Sequence, residues 1–133
     1  MNAANHPPLP EPISLATFLP ARDFAQSLAF YQELGFALIW QDAGLARFQL
    51  GGQVFFLQNR YSPGWAEETM LHLHVPAIDP WWQRIADLRL ADRYPIRLQA
   101  PQDQPWGMRD FVLIDPSGVL WRIAENSETK DSA

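Results

Sequence analysis

The alternation of apolar and polar positions divides the chain into an ordered series of strands and helices. Residues 13–19 alternate with the period of a strand. Leu15, Thr17 and Leu19 share one face, Ser14, Ala16 and Phe18 the other, and Pro20 ends it. Asp23 reads as a helix N-cap with Gln26 three residues on, a capping-box variant. The helix that follows carries Phe24, Leu28 and Tyr31 along one stripe and stops at Gly35. Residues 36–41 predict a second strand, and Asp42-Ala43-Gly44 a turn. Leu45–Leu50 and Gln53–Gln58 flank Gly51-Gly52, a two-residue loop of the kind that hairpins with positive φ require. Residues 59–68, with Tyr61, Pro63 and Trp65, predict a loop.

The order then begins again. Residues 69–75 form a strand ended by Pro76, and Asp79-Pro80 makes a cap with Pro at the first helical position. Trp81, Ile85 and Leu88 give the next helical stripe, Tyr94-Pro95 closes it, and residues 96–100 read as a short strand. Residues 109–114 and 119–124 are β-branched and aromatic around Asp115-Pro116-Ser117-Gly118, which suits a type I turn closing a hairpin. Each half reads strand, helix, then strands ending in a hairpin, a weak repeat by identity but a good one by element order. The expected organisation is a flexible Pro-rich arm over residues 1–12 and one domain over 13–126. That domain holds two modules, about 13–60 and 68–126, and a polar tail follows at 127–133. The helix-side faces of the two first strands are apolar, with Leu15 and Leu19 in one and Leu71, Leu73 and Val75 in the other. Met70, His72 and His74 lie opposite, a mixed face that suggests a cleft lining.

Composition narrows the classes. At 133 residues and 47% hydrophobic, the chain is one domain large enough to bury a core. No apolar run approaches the roughly 20 residues that span a bilayer. The segment MNAANHPPLPEP has neither the charged nor the apolar region of a secretory signal, so a cytoplasmic protein is expected. The absence of cysteine excludes disulfides, thiolate metal sites and cysteine nucleophiles. Net charge is −5, and the ten basic residues are scattered singly, which argues against nucleic acid as partner. Acidity is a mild hint toward cationic ligands. The six Trp supply flat stacking area wherever they are not core.

Candidate chemistry is sparse. His72 and His74 share a strand face and could touch one ion, but the sequence offers no third His nearby except His6. Neither a Ser-His-Asp spacing nor a pair of catalytic carboxylates is visible. Pro105-Trp106-Gly107-Met108-Arg109 holds an indole and a guanidinium on a loop ahead of the last hairpin. Trp106 there either stacks a ligand or plugs the end of the core.

The chain resembles the vicinal oxygen chelate superfamily, the glyoxalase, bleomycin-resistance and extradiol-dioxygenase group, and most closely its bleomycin-resistance-like branch. The residues that carry the resemblance are Leu19-Pro20-Ala21-Arg22-Asp23-Phe24, Phe30-Tyr31-Gln32-Glu33-Leu34-Gly35-Phe36, Gln104-Pro105-Trp106-Gly107-Met108-Arg109-Asp110 and Asp115-Pro116-Ser117-Gly118, spread over residues 13–126. It implies an α+β fold of paired βαβββ modules that form an open, cupped, barrel-like sheet with helices on the outside. Enzymes of the superfamily hold a divalent metal in the cup. The positions of their ligands fall here on Ala16, Met70 and Arg122, with the fourth near Phe56, Leu57 or Gln58, and Ala, Met and Arg do not ligate such an ion. The resemblance therefore implies no cofactor and a metal-free protein that sequesters an aromatic or heteroaromatic small molecule, antibiotic resistance being the family's use, in a homodimer groove. Trp106 and Trp40 match aromatic positions of the family. The expected ligand-binding residues are Trp40, His72, His74, Trp106, Arg109 and Arg122, with Tyr61 and Trp65 on a covering loop. Arg109 and Arg122 favour an anionic or carbonyl group, which sits awkwardly with cationic bleomycin. The alternative is a superfamily enzyme, a lyase, isomerase or dioxygenase, with non-standard ligands or metal-free chemistry.

Overall fold

A computed structural model describes residues 5–127. The first module comprises β1 (Ala16–Pro20), α1 (Phe24–Leu34), β2 (Ala37–Gln41), β3 (Leu45–Leu50) and β4 (Gln53–Gln58). A short helix, α2 (Pro63–Glu67), leads to the second: β5 (Met70–His74), α3 (Asp79–Asp87), α4 (Leu90–Arg93), β6 (Arg97–Asp103), β7 (Met108–Ile114) and β8 (Leu120–Asn126). Two open four-stranded sheets result, ordered β1-β4-β3-β2 and β5-β8-β7-β6. In each, the first strand pairs parallel with the last and the remaining pairs are antiparallel. The class is α+β, built of paired βαβββ modules.

Local chemistry explains most boundaries. The Asp23 carboxylate accepts from the Gln26 N–H at 3.0 Å and starts α1 as expected. Gly51 turns the β3–β4 hairpin at φ 57°, a conformation that side chains resist. The Asp115 carbonyl accepts from the Gly118 N–H at 3.0 Å, closing the turn between β7 and β8.

Several expectations need correction. The first strand starts at Ala16 rather than at residue 13, because Ala16 is opposite Val54 and the β3–β4 loop carries the partner chain away beyond it. Leu15 therefore lies outside the strand, 94% exposed, and not on the helix-side face. The buried stripe of α1 is Ser27, Phe30, Tyr31 and Leu34, so Phe24 and Leu28 sit at its margin. Residues 59–68 are not all loop. Ser62 caps α2 with Pro63 in its first turn, which also places Trp65 on a helix. Asp79 is no cap: it lies inside the first turn of α3, whose N-cap is Ile78 and lacks a side-chain hydrogen bond. The strand expected at 96–100 runs on to Asp103, past Pro101, because a bulge between Gln99 and Gln102 absorbs the break. The tail over 128–133 and the first four residues of the arm lie outside the described residues.

Both sheets turn one face to a common core. Leu19, Phe48, Phe55 and Leu57 come from the first sheet, Phe111, Leu113, Trp121 and Ile123 from the second, and Phe30, Tyr31 and Leu34 from α1. The Phe55 and Trp121 rings meet at 5.6 Å across the two modules. Because strand side chains alternate, the opposite faces of both sheets turn away from this core.

A buried polar network joins the modules inside it. The Tyr31 hydroxyl donates to Asp115 Oδ2 at 2.5 Å and accepts from Trp121 Nε1 at 2.9 Å. Asp115 Oδ1 accepts from the Ser117 and Val119 N–H groups at 2.8 and 2.9 Å. Burial pushes the Asp115 carboxyl up from its ordinary value, while its hydrogen bonds pull it back down. Burial, followed by the charge of Asp115 and the hydrogen bond to it, raises Tyr31 well above its ordinary 10.0. Tyr31→Phe leaves Asp115 Oδ2 and the Trp121 N–H without this partner, and urea unfolding at neutral pH is expected to show a loss of about 2–4 kcal/mol. A phenol that holds its proton more tightly folded than unfolded stabilises the fold below pH 10, and that contribution drains away as pH rises toward its folded value. Alkaline titration of stability should therefore show a decline beginning near pH 10 that Tyr31→Phe reduces, with the part due to Tyr94, whose phenol burial also raises, left in place.

Candidate functional site

The uncovered faces of the two sheets differ in character. On the first sheet, Phe18, Phe56, Arg47 and Trp40 stand side by side across β1, β4, β3 and β2. Phe18 and Phe56 stack at 4.6 Å with 13° between planes. Phe18 is 44% exposed and Trp40 50%, more aromatic surface than a sheet normally leaves to water. On the second sheet, His72, Arg122, Val112 and Gln99 form one row and His74, Ala124, Asp110 and Gln102 the next. The two imidazoles are 6.5 Å apart and exposed. One face is thus an aromatic wall and the other a polar one. A groove of about 490 Å³ runs between the β1 and β5 sides, lined by Leu15, Ala16, Val54, Leu71, His72 and Trp121 among others.

The guanidiniums on and behind the polar wall are paired. Arg122 donates to Asp110 Oδ2 at 3.2 Å, and Gln104 Nε2 donates to Asp110 Oδ1 at 3.0 Å. The Asp110 side chain is 2% exposed, so these donors are what keep a carboxylate tolerable there. Arg109 shares the core-side face of β7 with Phe111. It contacts Asp79 at 3.4 Å and Glu125 at 3.6 Å, and Glu125 in turn accepts from the Ile78 N–H at 2.8 Å. Arg109 therefore braces the start of α3.

Of the residues expected in the cleft, the structure brings His72, His74 and Arg122 together on one face and places Trp40 on the other open face. Trp106 is 55% exposed at the turn between β6 and β7, where the Gln104 N–H donates to the Met108 carbonyl at 2.7 Å. Tyr61 packs against the core margin beneath Arg22, whose guanidinium carbon is 4.5 Å from its ring centre. Trp65 is half-buried in α2. Neither Tyr61, Trp65 nor Arg109 joins the two open faces. Sequence reasoning missed Phe56 and Arg47 on the aromatic wall and Asp110 on the polar one. The run Val54-Phe55-Phe56-Leu57 is apolar on both faces, so alternation alone could not separate wall from core. For Asp110, the signal was its two-residue spacing from Val112 on a strand whose other face is Phe111 and Leu113.

The metal positions implied by the sequence resemblance can be tested on these faces. Ala16 pairs with Val54 and Met70 with Leu120, so Phe56, two residues on from Val54, is the counterpart of Arg122. Leu57 is fully buried in the core, which removes it from the open face. Ala16, Phe56, Met70 and a carboxylate-bound Arg122 offer no donor set for a divalent ion. Among the described residues no three His, Asp or Glu side chains converge as metal ligands, and no helix is long and apolar enough to cross a membrane.

A pair of βαβββ modules with open sheets defines a recognisable class, and comparison with known proteins places the chain within it. The family model of the Glyoxalase/Bleomycin resistance protein/Dioxygenase superfamily matches residues 14–123, and the chain belongs to that family. A bleomycin resistance protein of Klebsiella pneumoniae is 32% identical over 113 residues, which are 81% of this chain and 88% of that protein. The crystal structure of a bleomycin resistance determinant encoded on the transposon Tn5 superposes with TM-score 0.72 at 29% identity, covering 85% of this chain and 97% of that one. A bleomycin-binding protein complexed with bleomycin gives 0.71 at 28% identity, covering 86% and 98%.

The Arg122–Asp110 pair allows a clean stability test. Arg122→Met should cost about 2–4 kcal/mol in chemical denaturation by stripping a buried carboxylate of its charged partner. Adding Asp110→Asn to the same chain should restore most of that loss. Failure of the double variant to recover would mean that the arginine acts through packing alone.

Proposed function

We propose that the protein captures a flat, heteroaromatic small molecule of the bleomycin kind, without chemistry and without a metal of its own, in a groove shared by two copies. The observation that carries this reading is the stacked Phe18–Phe56 pair continuing to Trp40 on an uncovered sheet face. Planar rings stack on such a wall, each contact worth roughly 0.5–1.5 kcal/mol beyond area burial. The aromatic and polar walls of one chain turn away from a common core. They can face one another only between copies, which makes the homodimer the functional unit. Trp106, exposed on its turn, adds a further stacking surface.

Charge supports a cationic ligand better than the bare sequence suggested. Arg109 and Arg122, read from the sequence, favour anions, yet each lies against carboxylates. With those charges offset locally, the net −5 of the chain is free to attract cations at long range. His72, His74 and Gln99 are left to hydrogen-bond the polar part of the ligand.

Titration with metal-free bleomycin, followed by tryptophan fluorescence, is the test. Saturable quenching is expected at a stoichiometry of one ligand per groove. Trp40→Ala and Trp106→Ala should each weaken binding about tenfold, the equivalent of 1.4 kcal/mol, while changing stability by no more than about 0.5 kcal/mol, as for exposed positions. Absence of quenching, or unchanged affinity in both variants, would rule the reading out.

A further inference from the structure

The first sheet carries a single charge. Arg47 on β3 is the only charged residue in the strands β1 to β4. Its chain neighbours Ala46 and Phe48 are both 0% exposed in the core, so alternation sends the Arg47 side chain out on the opposite, uncovered face. Its partners across the ladders are Phe56 on β4 and Trp40 on β2. Arg47 is half-buried among them.

The chain gives this guanidinium nothing to hold. Arg89, Arg93, Arg109 and Arg122 each meet a carboxylate. Arg84 donates to the Glu33 carbonyl and Arg22 to the Tyr61 hydroxyl. Among the described residues, the side chains of Arg47, Arg60 and Arg97 alone make no hydrogen bond or ion pair, and Arg60 and Arg97 are exposed to water. The cation–π contacts belong to Arg22 and Arg93, so Arg47 is not engaged by the rings beside it either. Gln49, two residues on along the same strand face, turns its amide to the Gly51 carbonyl.

We propose that Arg47 is the specificity-determining donor of the aromatic wall, and that the captured ring carries a carbonyl at its edge: an aromatic carboxamide rather than a bare ring. The proposal rests on the capture reading above and names the ligand class that the wall takes. A flat ring laid across Phe18, Phe56 and Trp40 also covers Arg47, at the register position between the last two. A guanidinium is all donor and no acceptor. Taking water from it costs free energy unless the ligand returns an acceptor, so a ring without one is rejected. A ring carboxylate would also accept, but the net charge of −5 opposes an anion at long range and leaves a neutral amide unopposed. Positive charge elsewhere on the ligand is compatible with this. It acts at long range, and the carbonyl acts at contact.

Acridine-4-carboxamide and acridine share a flat ring and differ in the carbonyl group, which makes them the probes. In fluorescence titrations the parent should bind the carboxamide about tenfold to 100-fold more tightly, as for a hydrogen bond to a charged group. Arg47→Met keeps an unbranched side chain without donors. It should bring the two affinities within about twofold of each other and weaken metal-free bleomycin about tenfold. Arg47→Lys, which keeps a charged donor, should retain most of the preference. Arg47→Met should also unfold in urea no earlier than the parent, because no contact within the chain is lost. A parent that takes up metal-free bleomycin but does not prefer the carboxamide overturns the role of Arg47 and leaves capture standing. So does a preference that survives in Arg47→Met. A variant whose preference is unchanged but which sediments as a looser oligomer overturns it too, and gives Arg47 to a contact between copies. A parent that is quenched by none of the three compounds overturns both the capture reading and the role of Arg47.

Discussion

Asp115 sets the architecture. It sits in the turn that closes the last hairpin, 1% exposed, and a buried carboxylate must have each oxygen supplied with donors. Its own turn supplies two N–H groups to one oxygen, and the other oxygen is met by Tyr31 from the helix of the opposite module. Ser117 of the same turn accepts from the Arg22 N–H at 2.9 Å, at the entrance to that helix. The hairpin of the second module is thus hydrogen-bonded into the first. A second clamp on the helices repeats the theme: Glu33 accepts from Arg93 through both oxygens, at 2.7 and 2.8 Å, and from Tyr94. With the modules joined through their helical sides, the other sheet faces have to point outward.

That constraint divides the candidate site in a chemically useful way. Stacking needs area and little else, so the aromatic wall tolerates Arg47 at the register position between Phe56 and Trp40. The polar wall needs fixed orientation. Arg122 obtains it from Asp110, and Asp110 from Gln104 as well, so the guanidinium is held in place with its charge offset by its own acid. Preorganisation of that kind lowers the entropy lost on binding more than an additional loose contact would.

The order of the strands and of the main helix in each module, the α1 cap, both limits of β3 and β4 and the Asp115–Gly118 turn were legible in the sequence, because each rests on local chemistry that one stretch of chain contains. What was not legible depended on partners. The alternation over residues 13–19 is genuine, but residues 13–15 have no strand beside them, so periodicity overran the ladder. Asp79 has the composition of a cap, yet its side chain reaches Arg109 on β7, thirty positions away in sequence. Arg109 and Arg122 look alike in sequence as free cations, and only the fold reveals that one braces a helix and the other spans a buried acid. His72, His74 and Arg122 were identifiable as open-face residues from parity alone and Trp40 from the family resemblance, whereas Phe56 was hidden in a run apolar on both sides.

Phe56 and Arg122 occupy equivalent positions in the two modules, and each is taken up by a contact within the chain. A metal site demands convergent donors and leaves room for an ion. Here one position is filled by a ring stacked on Phe18, and its counterpart by a cation satisfied by its own acid. Either substitution alone would disfavour a divalent ion, by lost coordination in the first case and by repulsion in the second. Both at once leave the open faces with surface to stack on and groups to hydrogen-bond. For the capture proposed above, affinity in such a groove would be tuned through the rate of release more than through the rate of encounter.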